Sequence, residues 1–222
     1  AELERIANHL GDIGAVCNDA AFALMHAHTA LLREHVLRQS DMCFGHRLMM
    51  DKVLPGGVAV DLDRPGVEGI RALVAAIQKV FPRLVNLYDN TASLQDRTVG
   101  TGTLSPTLAV QYGCGGYVGR GSGRAFDARR DLAYAPYDAL QFDVPLFQGG
   151  DVNARLWVRI REVEQSLALI DQILGGMPSG KILAAVAPTA ETREGIALVE
   201  GFRGDILCWL RLNAEIGRAS CR

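Results

Sequence analysis

The glycine-rich segment between residues 113 and 131 holds the first side chains whose types and spacing could do chemistry. Arg120 and Ser122 stand among glycines, and Asp127 follows a few residues later. Glycines let a backbone approach a ligand closely, and a planar guanidinium can bind a carboxylate or phosphate through two hydrogen bonds. The pattern predicts either a loop that binds a ligand or a partner, or a salt-bridged loop that closes two helices.

A second set lies near the end of the chain, in the run from Glu200 to Gly204. Apolar residues typical of β-strands flank this run, and Gly204 would allow a tight turn there. Such a turn could project Arg203 inward, toward a site. The alternative is an arginine exposed at the tip of a hairpin.

The spacing of the residues disfavours two other kinds of site. The glycine run differs from a dinucleotide-binding fingerprint because Val118 stands where the third glycine should be. His26 and His28 face different sides of a helix, and His28 and His35 are two turns apart, too far for one metal ion. The five cysteines are an odd number without paired spacing, so we predict free thiols in a reducing compartment. The sequence contains no Cys-x-x-Cys metal site.

The composition describes a globular chain with a core of its own. It has 222 residues, of which 49% are hydrophobic. Its 23 basic residues nearly balance 25 acidic ones, which argues against sequence-independent binding to nucleic acid. No run of about 20 apolar residues predicts a transmembrane helix. The chain opens without Met and without a visible signal peptide, so we expect a missing upstream segment.

Long helices must position these residues. Apolar residues at alternating steps of three and four from Leu3 to Leu31 predict a first helix that extends to about residue 42. Similar patterns predict a helix at about 67–88, which Pro82 would kink or split, and a helix at 151–174. Two β-type runs, 182–186 and 196–212, predict a small sheet or hairpin. The predicted fold class is α+β, mostly α: a bundle of long helices with a small C-terminal β element.

Ionisable residues recur every seven positions along the first predicted helix. They are Arg5, Asp12, Asp19, His26 and Arg33. An ionisable group between apolar residues is costly to bury unless it is paired or used. We therefore predict that part of this stripe is buried against a partner or cavity, and that Asp19 takes part in proton movement. The alternative is a solvated helix face.

Several short sequence motifs follow one another along the chain, from Glu2 to about Asn213. They are Glu2-Leu-Glu-Arg5-x3-His9, Gly45-x-Arg47, Pro55-Gly-Gly-Val58, Gly119-Arg-Gly-Ser-Gly123-x3-Asp127-x-Arg129, Pro136-Tyr137, Phe142-Asp-Val-Pro145 and Arg161-x-Val-Glu164-Gln-Ser166. In this order they resemble the large subunit of energy-converting, membrane-associated nickel–iron hydrogenases, as in formate hydrogenlyase. They also resemble its relative, the quinone-site (D-type) subunit of NADH-quinone oxidoreductase (complex I).

The resemblance implies an oxidoreductase subunit, with a hydrogenase as the main interpretation. In the hydrogenases a motif brings an arginine over the nickel–iron centre, and the run from Glu200 to Trp209 matches its Glu, Arg, Gly and Trp. Complex I subunits often have Lys where this chain has Arg203. Phe202 and Cys208 depart from the pattern, which has Pro and His there. The alternatives are quinone reduction by a quinone-site subunit, with quinone binding in an NAD-linked complex, and a metal-free helical scaffold subunit.

The resemblance also implies roles for individual residues. Those implied as catalytic are Arg203, Asp19 and His9, and those implied as cofactor-binding are Arg120, Ser122, Asp127 and Glu200. Asp19 matches an aspartate that lies, in the complex I relatives, between the quinone cavity and the charged path of the membrane arm. The four cysteines that bind nickel and iron in the family lie outside this chain, so it would not bind the metal centre alone.

The implied cofactors are a nickel–iron centre in the full-length protein, an iron–sulfur cluster in a partner subunit and, in the alternative, a quinone. The implied partners are a small iron–sulfur subunit, the other subunits of such an assembly and an integral membrane arm, and not nucleic acid. The implied location is peripheral, on the cytoplasmic face of the inner membrane.

Residues 1–214 are expected to form one domain of a truncated large subunit. Residues 215–222 cease to match the family and are what a common sequencing adapter would encode in one frame. We expect an artefactual tail, in which Cys221 has no functional role. The alternative is an ordinary short tail.

Overall fold

Helices form most of the computed structural model, which describes residues 1–186 and 192–212 and the strand pairing of 220–221. The helices are α1 (Glu2–Asp19), α2 (Ala23–Phe44), α3 (Arg64–Asp89), α4 (Ala92–Thr98), α5 (Pro106–Gln111), α6 (Gly116–Gly121), α7 (Ala128–Asp131) and α8 (Val152–Gly175). The strands are β1 (Val53–Leu54), β2 (Gly57–Val58), β3 (Arg193–Gly201), β4 (Gly204–Leu212) and β5 (Ser220–Cys221). The predicted class, mostly helical with a small C-terminal β element, is confirmed.

The apolar core lies between α1, α2, α3 and α8. Leu10, Val36 and Leu156 are fully buried there, together with Ile77 of α3. The side chain of Asp63 begins α3 by accepting a hydrogen bond from the backbone N–H of Gly66 at 2.8 Å. Because α3 and α8 extend over nearly the predicted ranges, those two helix predictions are confirmed, and α3 continues through Pro82.

The single first helix predicted to run to residue 42 is wrong. The chain turns at residues 20–22, where Ala21 has a left-handed φ of 61°, and α1 and α2 form a helical hairpin. The two helices approach closely at Gly14, where a side chain would collide with Thr29 and the backbone of His26. The buried apolar row of α1 does not continue beyond the turn. Leu24 and Leu31, which extend that row in the sequence, are more than half exposed.

The β prediction is partly confirmed. β3 and β4 form an antiparallel hairpin in which Glu200 lies opposite Asp205, and β4 also pairs with β5. The run 182–186 is not a strand and makes only one isolated bridge, from Leu183 to Gly57, because the strand beside it is two residues long. Pro188 and most of the tail at 215–222 lie outside the described residues.

Two glycines fix the tip of the β3–β4 hairpin against α6. Gly116 and Gly204 have φ values of 56° and 131°, which side chains rarely tolerate. A Cβ on Gly116 would collide with the carbonyl of Arg203, and one on Gly204 would collide with the backbone of Gly116. The hairpin therefore docks backbone against backbone, which carries Glu200 into the interior.

Candidate functional site

Eight ionisable side chains meet in the interior of the protein, and we call them the buried charge cluster. They are Glu2, Arg5, His9, Arg120, Asp127, Arg129, Glu162 and Glu200, each at most 5% exposed. They come from α1, α6, α7 and its N-cap, α8 and β3. The cluster therefore joins the helical core to the glycine-rich segment and to the β3–β4 hairpin.

Glu162 of α8 lies at the centre of the cluster. One carboxylate oxygen accepts a hydrogen bond from Nε of Arg120 at 2.9 Å, and the other lies 2.6 Å from Nε2 of His9 and 3.4 Å from Arg5. Burial alone would raise the pKa of Glu162, but the charge of Arg120, the hydrogen bond from His9 and the charge of Arg5 hold that pKa well below its usual range. Glu162 is therefore ionised at neutral pH.

Arg120 of α6 is wholly buried and bridges three carboxylates. Besides Glu162 it contacts Glu200, with Nη1 2.9 Å from Oε1, and Asp127 at 3.4 Å. Burial would lower the pKa of Arg120, but these carboxylates raise it. The glycine-rich sequence of α6 makes this possible, because a Cβ on Gly121 would come within 3.2 Å of an Arg155 side-chain atom of α8.

Glu2 and Arg129 form the opposite end of the cluster. Nη1 of Arg129 lies 3.2 Å from Glu2, and its Nε and Nη2 donate to Asp127 at 3.0 and 2.8 Å. The hydroxyl of Tyr137 donates to Glu2 at 2.7 Å. Burial would raise the pKa of Glu2, but Arg5 and Arg129 lower it to about 2.

Arg5 and His9 connect α1 to the rest. Arg5 donates to the carbonyl oxygens of Gly201 at 2.9 Å and of Glu200 at 3.0 Å, which ties α1 to the hairpin. His9 is fully buried, and its Nδ1 has no hydrogen-bond partner within the described part of the chain. Burial lowers the pKa of His9, and although Glu162 opposes this, Arg5 and Arg159 add to it.

Four of the seven predicted site residues, His9, Arg120, Asp127 and Glu200, lie in the buried charge cluster. Ser122 lies beside Gly150, is fully buried, and its hydroxyl has no partner among the described residues. Arg120 forms ion pairs with three carboxylates, which agrees with the alternative of a salt-bridged loop. Contact between these residues and a cofactor stays a prediction.

The other two predicted residues lie outside the cluster. Arg203 is exposed at the β3–β4 turn, with its guanidinium carbon 5.3 Å from the centre of the Phe202 ring. That turn packs on Gly116, so Arg203 lies near the glycine-rich segment. Its side chain does not project inward but is exposed, as in the alternative of an arginine at the tip of a hairpin. Asp19 is exposed at the last position of α1, about 15 Å along the helix from His9.

Sequence reasoning missed Glu2, Arg5, Arg129 and Glu162 as site residues. It also missed Ser166, whose hydroxyl donates a hydrogen bond to Glu2. Glu162 and Ser166 are four positions apart on α8, and Glu2, Arg5 and His9 follow steps of three and four on α1. Such spacing places each set on one helix face. The sequence feature that could have identified them is therefore a row of polar residues at helical spacing, next to the row of apolar residues on the same helix.

The described residues do not supply ligands for a nickel–iron centre. Every carboxylate of the cluster is already bound by a guanidinium. Within residues 1–186 and 192–212, no group of three His, Cys, Asp or Glu side chains could hold a metal ion. Cys17 lies in the apolar core, where burial raises the pKa of its thiol to about 11.

An apolar cavity of about 380 Å³ lies beside the cluster. Phe44, Met49 and Ile173 are among its apolar walls, and Glu2 and Tyr137 are part of its polar lining. This volume is within the range of small-molecule pockets. None of the described helices is both long enough and apolar enough to cross a membrane.

Comparison with known proteins identifies relatives in two groups, hydrogenases and NADH-quinone oxidoreductase subunits. The chain is 34% identical over 216 residues to the carbon monoxide-induced hydrogenase of Rhodospirillum rubrum, a match that covers 96% of this chain and 59% of that protein. It is 32% identical over 212 residues to the D-type subunit of NADH-quinone oxidoreductase from Dehalococcoides mccartyi, covering 92% of this chain and 57% of the relative.

A solved structure is similar over the whole chain. It belongs to the membrane-bound sulfane sulfur reductase, described as an archaeal respiratory membrane complex, and aligns with a TM-score of 0.90 and 25% sequence identity. The match covers 100% of this chain and 62% of that one. The chain thus spans about three fifths of the length of the relatives it matches.

The resemblance inferred from the sequence motifs is confirmed. The sequence profile described as "Respiratory-chain NADH dehydrogenase, 49 Kd subunit" matches residues 19–201, which is most of the chain. This range includes the glycine-rich segment, α8 and all of β3. The chain therefore belongs to the family of the 49 kDa subunit of respiratory-chain NADH dehydrogenase.

Proposed function

We propose that the chain is the helical core of the catalytic large subunit of a membrane-associated nickel–iron hydrogenase, which reduces protons or oxidises dihydrogen. The observation that supports this most is the 34% identity to the carbon monoxide-induced hydrogenase along 96% of the chain. Arg203 supports the same proposal, because it matches the arginine of the hydrogenase motif.

The chain's own contribution in this proposal is a rigid frame. The buried charge cluster fixes α1, α6, α7, α8 and the hairpin to one another, and the glycine contact holds the Arg203 turn against α6. The nickel–iron centre would be held by residues other than those described. An iron–sulfur cluster would belong to a small partner subunit.

The proposed setting is a complex with an integral membrane arm, to which this chain binds peripherally on the cytoplasmic face. The solved relative, named as a respiratory membrane complex, supports that setting. We also propose that residues 1–214 form one domain of a truncated large subunit and that 215–222 are an artefactual tail.

Quinone reduction by a quinone-site subunit of a complex I-like assembly is the second candidate function. It is favoured by the matching family profile and by the 32% identity to the Dehalococcoides mccartyi protein. A metal-free helical scaffold subunit is a third candidate.

Assays of the intact complex distinguish these functions. The complex that contains this chain, isolated with its partner subunits, is tested for reduction of an artificial dye under dihydrogen and for reduction of a quinone by a soluble donor. Dye reduction that requires dihydrogen supports the hydrogenase. Quinone reduction without any response to dihydrogen supports the quinone-site alternative, and neither activity supports the scaffold.

Asp19 carries a separate proposal, that it takes part in proton movement at an interface with the membrane arm. Its exposure at the end of α1 leaves the carboxylate accessible to a partner subunit. In the intact complex, Asp19→Asn is expected to lower proton translocation relative to electron transfer, because the amide cannot take up a proton. Asp41→Asn, at an exposed position of α2, is the matched control. Unchanged coupling in the Asp19 variant would favour a merely solvated helix face.

A further inference from the structure

The buried charge cluster contains one more carboxylate than guanidinium. Four carboxylates, of Glu2, Asp127, Glu162 and Glu200, face three guanidiniums, of Arg5, Arg120 and Arg129. The remaining member, His9, is either neutral or positive. An uncompensated charge in a protein interior loses its hydration at high cost. With His9 neutral, four negative charges would face three positive ones, so one additional proton makes the cluster neutral.

The negative charge of Glu200 is the one in the cluster that the arginines neutralise least. Glu2, Asp127 and Glu162 each lie within 3.4 Å of two arginines. The carboxylate of Glu200 contacts Arg120 alone among the cluster's arginines, through an Nη1 that also donates to the carbonyl of Phe126. Among the residues that the structure describes, its second oxygen accepts only the neutral backbone N–H of Ala128, at 3.0 Å.

The imidazole of His9 is a poorer place for the extra proton. One hydrogen already lies between Nε2 of His9 and Glu162, which are 2.6 Å apart. A second hydrogen, on Nδ1, would have no acceptor among the described residues. On Glu200 the proton can be added without displacing a donor, because a carboxylate has about four lone-pair positions and donors occupy two of them here.

The charged and titratable groups around Glu200 come from every element packed near it. They are Arg5 of α1, Arg120 of α6, Asp127 and Arg129 at α7, Tyr134 of the following loop, Glu162 of α8 and Asp205 of β4. Burial raises the pKa of Glu200, and although Arg120 opposes this, the negative charge of Asp127 adds to it. Burial has the opposite effect on His9, whose pKa it lowers.

We propose that Glu200 is a proton-binding site, whose carboxyl takes one proton from solvent, holds it at neutral pH and releases it as the pH rises. Exchange with solvent is possible because the adjacent Val199 is 43% exposed, so the site lies one residue from the surface of the hairpin. The proposal goes beyond the proposed function, and its test needs no redox activity.

Infrared spectroscopy of the full chain tests the proposal, because the C=O stretch of a protonated carboxyl is separate from the carboxylate bands. At neutral pH, wild type is expected to show the band of one buried carboxylic acid, which disappears on titration to alkaline pH. Glu200→Gln is expected to lack the band. Glu194→Gln, in the same strand but exposed and paired with Arg211, is expected to keep it. Absence of the band from wild type at neutral pH, or its persistence in Glu200→Gln, would overturn the proposal.

The pH dependence of unfolding gives a second readout. The folded chain binds this proton more tightly than the unfolded chain, so Glu200 contributes a loss of stability as the pH rises from about 4.5 through the raised pKa. The glutamine mimics the protonated carboxyl, so the variant is expected to become more stable relative to wild type as the pH rises. A variant that is unfolded at neutral pH, or a difference that shrinks as the pH rises, would contradict a protonated Glu200.

Discussion

Replacing Arg120 by methionine is expected to lower the free energy of unfolding by about 3–5 kcal/mol, the usual cost of removing one partner from a buried ion pair. The methionine keeps much of the volume but leaves Glu162, Glu200 and Asp127 without the guanidinium that bridges them. Chemical denaturation of wild type and variant at neutral pH measures the difference. Arg64→Met is the control, since the Arg64–Glu68 pair is exposed and should change stability by less than about 1 kcal/mol.

The pH dependence of this difference has a predicted sign. In wild type, the pKa of Glu162 is lowered chiefly by Arg120, although burial opposes the shift. The stability from that ionised carboxylate is present above a pH of about 4.5 and is lost as the pH falls through the folded-state pKa. The cost of Arg120→Met should therefore shrink in acid. A loss no larger than that of Arg64→Met at neutral pH would show that the cluster does not hold the fold together.

Replacing Arg203 by lysine in the full-length, metal-loaded enzyme is expected to lower dihydrogen turnover by about 10²-fold or more, as when a preorganised donor is removed from a transition state. Lysine keeps the positive charge but lacks the planar fork that fixes its direction. The fold should be unaffected, because the side chain of Arg203 is exposed. Initial rates of dihydrogen oxidation, with circular dichroism to verify folding, measure the effect.

Arg211→Lys is the matched control for this variant. Arg211 is an exposed arginine on the same hairpin and pairs with Glu194, so the change to lysine should leave turnover near that of wild type. Near-normal turnover in Arg203→Lys would remove the catalytic assignment of Arg203. An equal loss in both variants would instead point to a general effect on the hairpin.

The long helices were predictable because their apolar residues recur at helical spacing. The break at residues 20–22 was not, since the apolar pattern continues by chance through Leu24 and Leu31, and no Gly or Pro marks the turn. A left-handed residue at Ala21 costs little enough for the packing of α1 against α2 to impose it. The packing of α1 against α2, rather than the local sequence, therefore determines where the first helix ends.

The charge cluster was only partly predictable from the sequence. The heptad stripe drew attention to Arg5 and Asp19, but a straight helix turns away from a seven-residue repeat, and Asp19 is exposed. Steps of three and four, through Arg5 and His9, mark the face that is buried. Glu162 could not be assigned a partner at all, because its contacts with His9 and Arg120 span 153 and 42 residues of sequence.

The burial of Glu200 was also not predictable from the sequence. As a residue of an exposed β3 strand it would be solvated, and its neighbours on that strand are mostly exposed. It is buried because two glycines let the hairpin dock on α6. A close contact between two backbones leaves no periodic pattern of side chains in the sequence from which it could be predicted. The family resemblance drew attention to Glu200, whereas its burial became visible only in three dimensions.

The central claim, that this chain is part of a hydrogenase large subunit, is tested most directly by isotope exchange in the intact complex. Deuterium gas is supplied to the isolated complex in ordinary water, with no electron acceptor, and the gas phase is followed by mass spectrometry. Heterolytic cleavage separates D₂ into a deuteron and a deuteride on different groups. When the deuteron exchanges for a proton of the solvent, recombination of that proton with the deuteride releases HD. We predict steady formation of HD by the wild-type complex. A complex that reduces quinone but forms no HD would contradict the claim and assign the chain to the quinone-reducing branch of the family.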